Sequence, residues 1–200
     1  MRTASEHSET KEKLLKVATE LMIQKGFVAT TVDEICEAAD VTKGAFFHYF
    51  KTKEELAEEA VSHFSEKTRA MMAACCSGSV KDPLDRVYAI VDGSIAGSQS
   101  PEMKGCLIGT LSQEVSGSHE KLRSCCAESF DDVRGLLAKD LAEAKKKYAP
   151  RANIDPEGLA DHFIAVAQGA MLMAKARKDK SVIKTALTHY KQYLKSIFER

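Results

Sequence analysis

The 200-residue chain has no tryptophan, only four prolines and eleven glycines, and no excess of charge of either sign: 29 Lys plus Arg stand against 29 Asp plus Glu. So few turn-forming residues exclude an all-β protein built from many tight turns. The 44% hydrophobic and 29% charged content excludes a disordered, collagen-like or low-complexity chain. Long apolar runs are also missing. The longest, Ile164 to Ala174, is interrupted by Gln168 and falls short of the ~20 residues a bilayer span requires. Met1 to Lys13 has no apolar core of the kind a signal peptide carries. These absences predict a soluble, cytoplasmic protein with no membrane partner.

Six cysteines are present: Cys36, Cys75, Cys76, Cys106, Cys125 and Cys126. Two adjacent pairs and two singles do not make a metal-ligand spacing such as C-x-x-C, so no metal or other cofactor is expected. Most fit the role of small buried hydrophobes in a reducing compartment.

What is there is helical throughout. Leu14, Ala18 and Leu21 share one face of a first helix over 9–25, which Gly26 stops. Thr31-Val-Asp-Glu34 is a capping box for a short second helix ending near Ala39. After a tight turn at Asp40-Val41, Thr42 can cap a third helix reaching Phe50. Thr52-Lys-Glu-Glu55 opens a long fourth helix to about Cys76, and Ser77-Gly78-Ser79 marks a break. Asp82-Pro83 and Asp155-Pro156 each pair an N-cap with proline at the first helical position. Further helices are expected over 83–99, 105–116, 119–147, 156–177 and 181–199. The fold class is therefore all-α with about nine helices: a three-helix head at 1–52 and a regulatory domain at 53–200.

The head reads as a helix-turn-helix. Its turn brings Ile35 and Ala38 against Val41, Phe46 and Phe50 as a miniature core. That leaves Lys43, Gly44, Phe47, His48 and Tyr49 on the third helix to enter a major groove of double-stranded DNA. His48 and Tyr49 suit base or backbone contacts, and Gly44 allows close approach. Lys43, Lys53 and the cap residues Thr31 and Thr42 suit phosphates. The same residues also fit an ordinary helical corner whose aromatics are all core. Residues 1–50 hold six bases and eight acids, yet no acid occurs from Val41 to Lys53. The positive field is thus local, and phosphate affinity per subunit is expected to be modest.

The stretch from Lys11 to Val61 resembles the DNA-binding domain of TetR/AcrR-family repressors. The residues that carry the likeness include Lys25-Gly26-Phe27, Thr30-Thr31-Val32, Ile35, Ala38 and the run Val41 to Leu56. The resemblance implies a homodimeric regulator of a palindromic operator, with a divergent C-terminal domain that binds a small-molecule effector. Many members have Tyr at the position of Phe47, where the hydroxyl binds a phosphate. Phe47 cannot make that bond and is left to pack on sugar or a thymine methyl.

In the C-terminal part, Gly105-Cys106-Leu107 places a thiol at a predicted helix start, where backbone N–H groups favour thiolate. Lys175 follows the apolar stretch of the eighth helix. Both segments are similar to those of a TetR subgroup that includes regulators of electrophile and reactive-chlorine detoxification. The resemblance implies that Cys106 senses the oxidant with Lys175 near it; a buried structural Cys and a Lys that complements a helix end are the alternative. Helices eight and nine carry wide apolar stripes, and Phe163, Ala167, Ala170, Ala174, Leu187, Tyr190 and Leu194 are the candidate dimer contacts. No catalytic residues are assigned: the histidines lack a partner acid or nucleophile at a recognisable spacing. A small helical enzyme or a protein-interaction module is the rival reading.

Overall fold

The computed structural model describes residues 4–76, 78 and 80–199, and these form nine helices and no strand. They are α1 (Ala4–Lys25), α2 (Val32–Ala38), α3 (Lys43–Tyr49), α4 (Lys53–Cys75), α5 (Pro83–Ser98), α6 (Leu107–Val115), α7 (Glu120–Tyr148), α8 (Pro156–Arg177) and α9 (Ser181–Phe198). Of the expected Ser77-Gly78-Ser79 break, Ser77 and Ser79 lie outside the described residues. The helix starts follow their caps. Thr31 completes a reciprocal capping box with Glu34, Thr42 accepts from the Ala45 N–H, and Asp82 and Asp155 cap α5 and α8 ahead of their prolines. The second box is displaced by one residue: Thr52 accepts from Glu55 N–H at 3.1 Å, while the Glu55 carboxylate accepts from Lys51 N–H at 2.7 Å. α1 starts earlier than its apolar period, because Ala4 to Ser8 add no apolar repeat to that pattern.

The chain packs as two compact units, one of residues 1–66 with 104–129 and one of 67–103 with 130–200. In the first, α1 packs on α2 and α6, and α2 packs on α3. Leu14, Ala18, Met22, Ile35, Ala39, Phe46, Phe50 and Leu56 are all fully buried there. The sequence expectation named Ala38 for this core. Ala38 is exposed, and Ala39 fills the place because it lies one helical turn beyond Ile35. Asp40 then reverses the chain with a φ of 50° before α3.

In the second unit, α9 packs on α8 and α5. Every candidate dimer contact named from the sequence is buried within this unit: Phe163, Ala167, Ala170 and Ala174 of α8, and Leu187, Tyr190 and Leu194 of α9. The Tyr190 hydroxyl donates to the Leu159 carbonyl at 2.9 Å, and burial holds its pKa above the usual phenol value. The physical reason is the width of the stripes. One row of each helix is consumed by the α5–α8–α9 core, and apolar side chains off that row reach the surface. Leu172, Met173 and Tyr193 do so, 54, 43 and 46% exposed.

Candidate nucleic-acid interface

α3 is seven residues long, and its sequence divides it into two faces. Phe46 and Phe50 point into the head core, with ring centroids 5.8 Å apart. Lys43, Gly44, Phe47 and His48 are exposed, Phe47 to 54%. The Phe47 ring is held edge-on to Phe46 at 5.2 Å, and His48 is edge-on to Tyr49 at 5.0 Å. Tyr49 is half-buried between the two faces. A Cβ at Gly44 would meet only Thr42 Oγ1, at 3.8 Å. Nothing inside the chain therefore requires glycine there.

The cations of the head are not equivalent. Lys43 is exposed and pairs with Asp33 across the helix-turn-helix, Nζ to Oδ1 2.6 Å. The hydrogen bond to Asp33 raises the Lys43 pKa and keeps it fully charged. Lys53, read from the sequence as a phosphate ligand, is half-buried and aims elsewhere. Its ammonium donates to the Phe27 and Thr30 carbonyls, both at 2.8 Å, and lies 4.2 Å from the Phe27 ring centroid. The position beside α3 in sequence suggested DNA, but the turn between α1 and α2 presents two carbonyls closer at hand.

Thr31 differs from its expectation as well. Its hydroxyl donates to Glu34 Oε2 at 2.8 Å, and its N–H donates to the same oxygen at 2.9 Å. Hydrogen bonds from Lys25 and Thr31 hold the Glu34 pKa down to about 2, so a full negative charge sits beside this helix start. The hydroxyl and N–H of Thr31 that a phosphate would need are already engaged by this carboxylate. Thr42 has no acid in the first turn of its helix and remains the better placed of the two caps.

Sequence reasoning missed Glu114. Its carboxylate accepts from the Phe27 N–H at 2.6 Å and from the Val28 N–H at 2.9 Å. No motif signals this, because the partners are backbone groups 87 and 86 residues away. The one available sign was Gly26, whose φ of 89° lets the chain turn so that both N–H groups face one way. His119 was missed for the same reason: its ring is edge-on to Phe27 at 5.0 Å.

Of the effector candidates, Cys106 is the N-cap of α6 and is half-buried, with its Sγ accepting from the Gly109 N–H at 3.5 Å. Lys175 lies exposed in the last turn of α8, in the other unit. Cys126 is buried, and burial pushes its thiol up to about 11. Burial raises Cys36, Cys76 and Cys125 too. These four are thiols rather than thiolates at neutral pH. Among the described residues no helix is long and apolar enough to cross a membrane.

A short all-helical head that presents Lys43, Gly44, Phe47 and His48 from one exposed helix face defines a helix-turn-helix DNA-binding protein. Two family models match the chain: "Bacterial regulatory proteins, tetR family" over residues 14–60, and "Tetracyclin repressor-like, C-terminal domain" over 83–190. The chain belongs to the TetR family and is a DNA-binding transcriptional regulator.

Its relatives agree. The HTH-type transcriptional repressor NemR of Escherichia coli is 28% identical over 196 residues, covering 97% of this chain and 98% of its own length. The repressor DhaR of a Mycobacterium species is 25% identical over 178 residues, covering 89% of this chain and 88% of its own. The crystal structure of E. coli NemR in its reduced form superposes with a TM-score of 0.78 at 27% identity, over 92% of this chain and 96% of that one. A TetR regulatory protein from Rhodobacter sphaeroides reaches 0.81 at 24% identity, over 90% of this chain and 96% of that one, which bears on the fold alone.

Proposed function

We propose that the protein is a cytoplasmic, non-enzymatic repressor that works as a homodimer on a palindromic operator. The observation that carries this reading is the exposed face of α3, where a glycine with open space around it stands between a cation and two aromatic rings. Lys43 and Thr42 hold phosphates, Phe47 packs on sugar or a thymine methyl, and His48 with Tyr49 reads base edges. Residues 1–52 do the reading and 53–200 carry regulation and dimerisation. The family tie supports two heads per working unit, since dimerisation is typical of these regulators. Leu172 and Met173 of α8 and Tyr193 of α9, exposed outside the buried stripes, offer apolar side chains to the partner subunit.

Release follows from a small-molecule effector or from modification of Cys106. Thiol chemistry is supported by the half-buried position of Cys106 at a helix N-terminus and by the relative described in a reduced form. A hundredfold loss of operator binding requires about 2.7 kcal/mol of coupling between the effector site and the heads.

The test begins with selection of an operator from a random duplex pool, followed by anisotropy titrations at several salt concentrations. A selected palindrome bound far more tightly than scrambled DNA, with affinity falling steeply as salt rises, is the expected result. Equal, weak binding to every duplex would refute the reading. Hypochlorite or a quinone should then release the wild type but not Cys106→Ser, and Lys175→Ala should blunt the response. Release of both wild type and Cys106→Ser at one dose would leave a reversible ligand as the effector.

A further inference from the structure

We infer that Glu114 is a positioning residue for operator binding: from the C-terminal turn of α6 it fixes the α1–α2 turn and through it the pose of the reading helix. The inference rests on the DNA-reading role proposed above and adds the route by which α6 acts on it.

The turn is tied from three sides. The Glu114 carboxylate accepts the N–H groups of Phe27 and Val28, one on each oxygen. Lys53 takes the carbonyls of Phe27 and Thr30. The Thr30 hydroxyl donates to the Gly26 carbonyl at 2.6 Å, closing the turn on itself. Phe27 itself is buried, with its ring near Lys53 Nζ and the His119 ring. Glycine at 26 suits the backbone, and a side chain there would displace the Glu114 carboxylate. Its φ is positive, and a Cβ there would come within 2.5 Å of Glu114 Oε2. The Glu114 contact and the backbone shape of the turn are one feature.

The other end of α6 is tied to α1 as well. Lys104 pairs with Glu20 at 2.6 Å, and a Cβ at Gly105 would lie 3.0 Å from Ile23. Between these ties runs a single straight helix that opens at the Cys106 cap, with Glu114 about 12 Å further along at ~1.5 Å per residue. A shift or rotation of α6 at Cys106 therefore arrives at Phe27 and Val28 without passing through α4. Charge makes the tie specific. A carboxylate accepts both N–H groups, whereas a carboxamide accepts one and turns an NH₂ toward the other.

The experiment uses the full chain and its Glu114→Ala and Glu114→Gln variants. Amide exchange of Phe27 and Val28 is measured together with binding to the palindrome selected by the wild type and to the same palindrome with one base pair inserted at its centre. In Glu114→Ala, exchange at these two amides should rise roughly tenfold or more as the turn opens. Affinity for the palindrome should fall about tenfold, and the penalty for the inserted base pair should shrink, because loosely held heads tolerate a changed half-site spacing. Glu114→Gln should lie between wild type and Glu114→Ala in all three. Unchanged exchange, or an equal loss on both duplexes with the insertion penalty intact, would overturn this inference alone. A wild type that selects no duplex would overturn the DNA reading and this inference with it.

Discussion

Asp33 of α2 and Lys43 of α3 face each other across the helix-turn-helix, carboxylate to ammonium at 2.6 Å, with both side chains more than half exposed. On the proposal that Lys43 holds a phosphate, Lys43 exchanges one anion for another on docking. An exposed pair of this kind is screened by solvent and salt and holds only weakly. Asp33→Asn should therefore tighten operator binding by roughly three- to fivefold at low salt. Lys43→Ala should weaken all duplexes together and lower the salt slope by about one unit. In the double variant the gain from Asp33→Asn should largely vanish. A full gain there would show that Asp33 acts on the phosphates directly rather than through Lys43.

Lys53 and Lys43 have separable roles. Removing the Lys53 ammonium leaves the Phe27 and Thr30 carbonyls without their charged donor, and Thr30 is fully buried. Losing charge-assisted bonds at such a site costs about 2–3 kcal/mol. For a chain of this size Lys53→Ala should lower the melting temperature by roughly 5–10 °C. Lys43→Ala should leave it unchanged. Equal melting of both variants, with operator binding lost only in Lys53→Ala, would return Lys53 to the phosphate backbone.

The contrast between these two lysines marks what the sequence reveals and what it conceals. Helix starts were legible because caps and prolines act on neighbours within four residues, as Thr31, Thr42, Asp82 and Asp155 do. The outward face of α3 was legible because Phe46 and Phe50 sit one helical turn apart and claim the core side. Where Lys53 points was not legible, because its acceptors are carbonyls 26 and 23 residues away. Glu114 was hidden for the same reason at longer range. The α8 and α9 stripes were recognised as apolar, but period alone does not say which row meets the same chain and which meets a second copy.

That distinction gives a test of the dimer. Leu187 is 1% exposed inside the α5–α8–α9 core, whereas Leu172 and Tyr193 are exposed outside it. Leu187→Ala should cost about 2–5 kcal/mol and lower the melting temperature without adding charge to the surface. Leu172→Glu with Tyr193→Glu should leave helical content intact and shift sedimentation from dimer to monomer. Operator affinity should then collapse, since each half-site is held only weakly by one head. Dimers that persist in the double variant would place the interface on another face.

Asp82 caps α5, accepting from the Leu84 N–H at 2.9 Å and the Asp85 N–H at 3.2 Å. Its other oxygen accepts from Lys147 Nζ at 2.6 Å and from the Tyr148 hydroxyl. Burial opposes its charge, but these four donors prevail and hold its carboxyl well below the ordinary value of 3.8. A group whose native pKa is depressed stabilises the fold fully above its unfolded value, and that contribution is lost as the pH falls toward the native value. Asp82 thus contributes undiminished at neutral pH and progressively less below about pH 4. Asp82→Asn keeps an acceptor for the cap but loses the charged partner of Lys147, so it should melt below the wild type at pH 7. As the pH is taken from 5 to 3, the wild type should lose stability faster and the gap between the two should narrow. A gap that stays constant over that range would mean that Asp82 contributes through its cap alone and that its charge contributes nothing to holding the end of α7 to the start of α5.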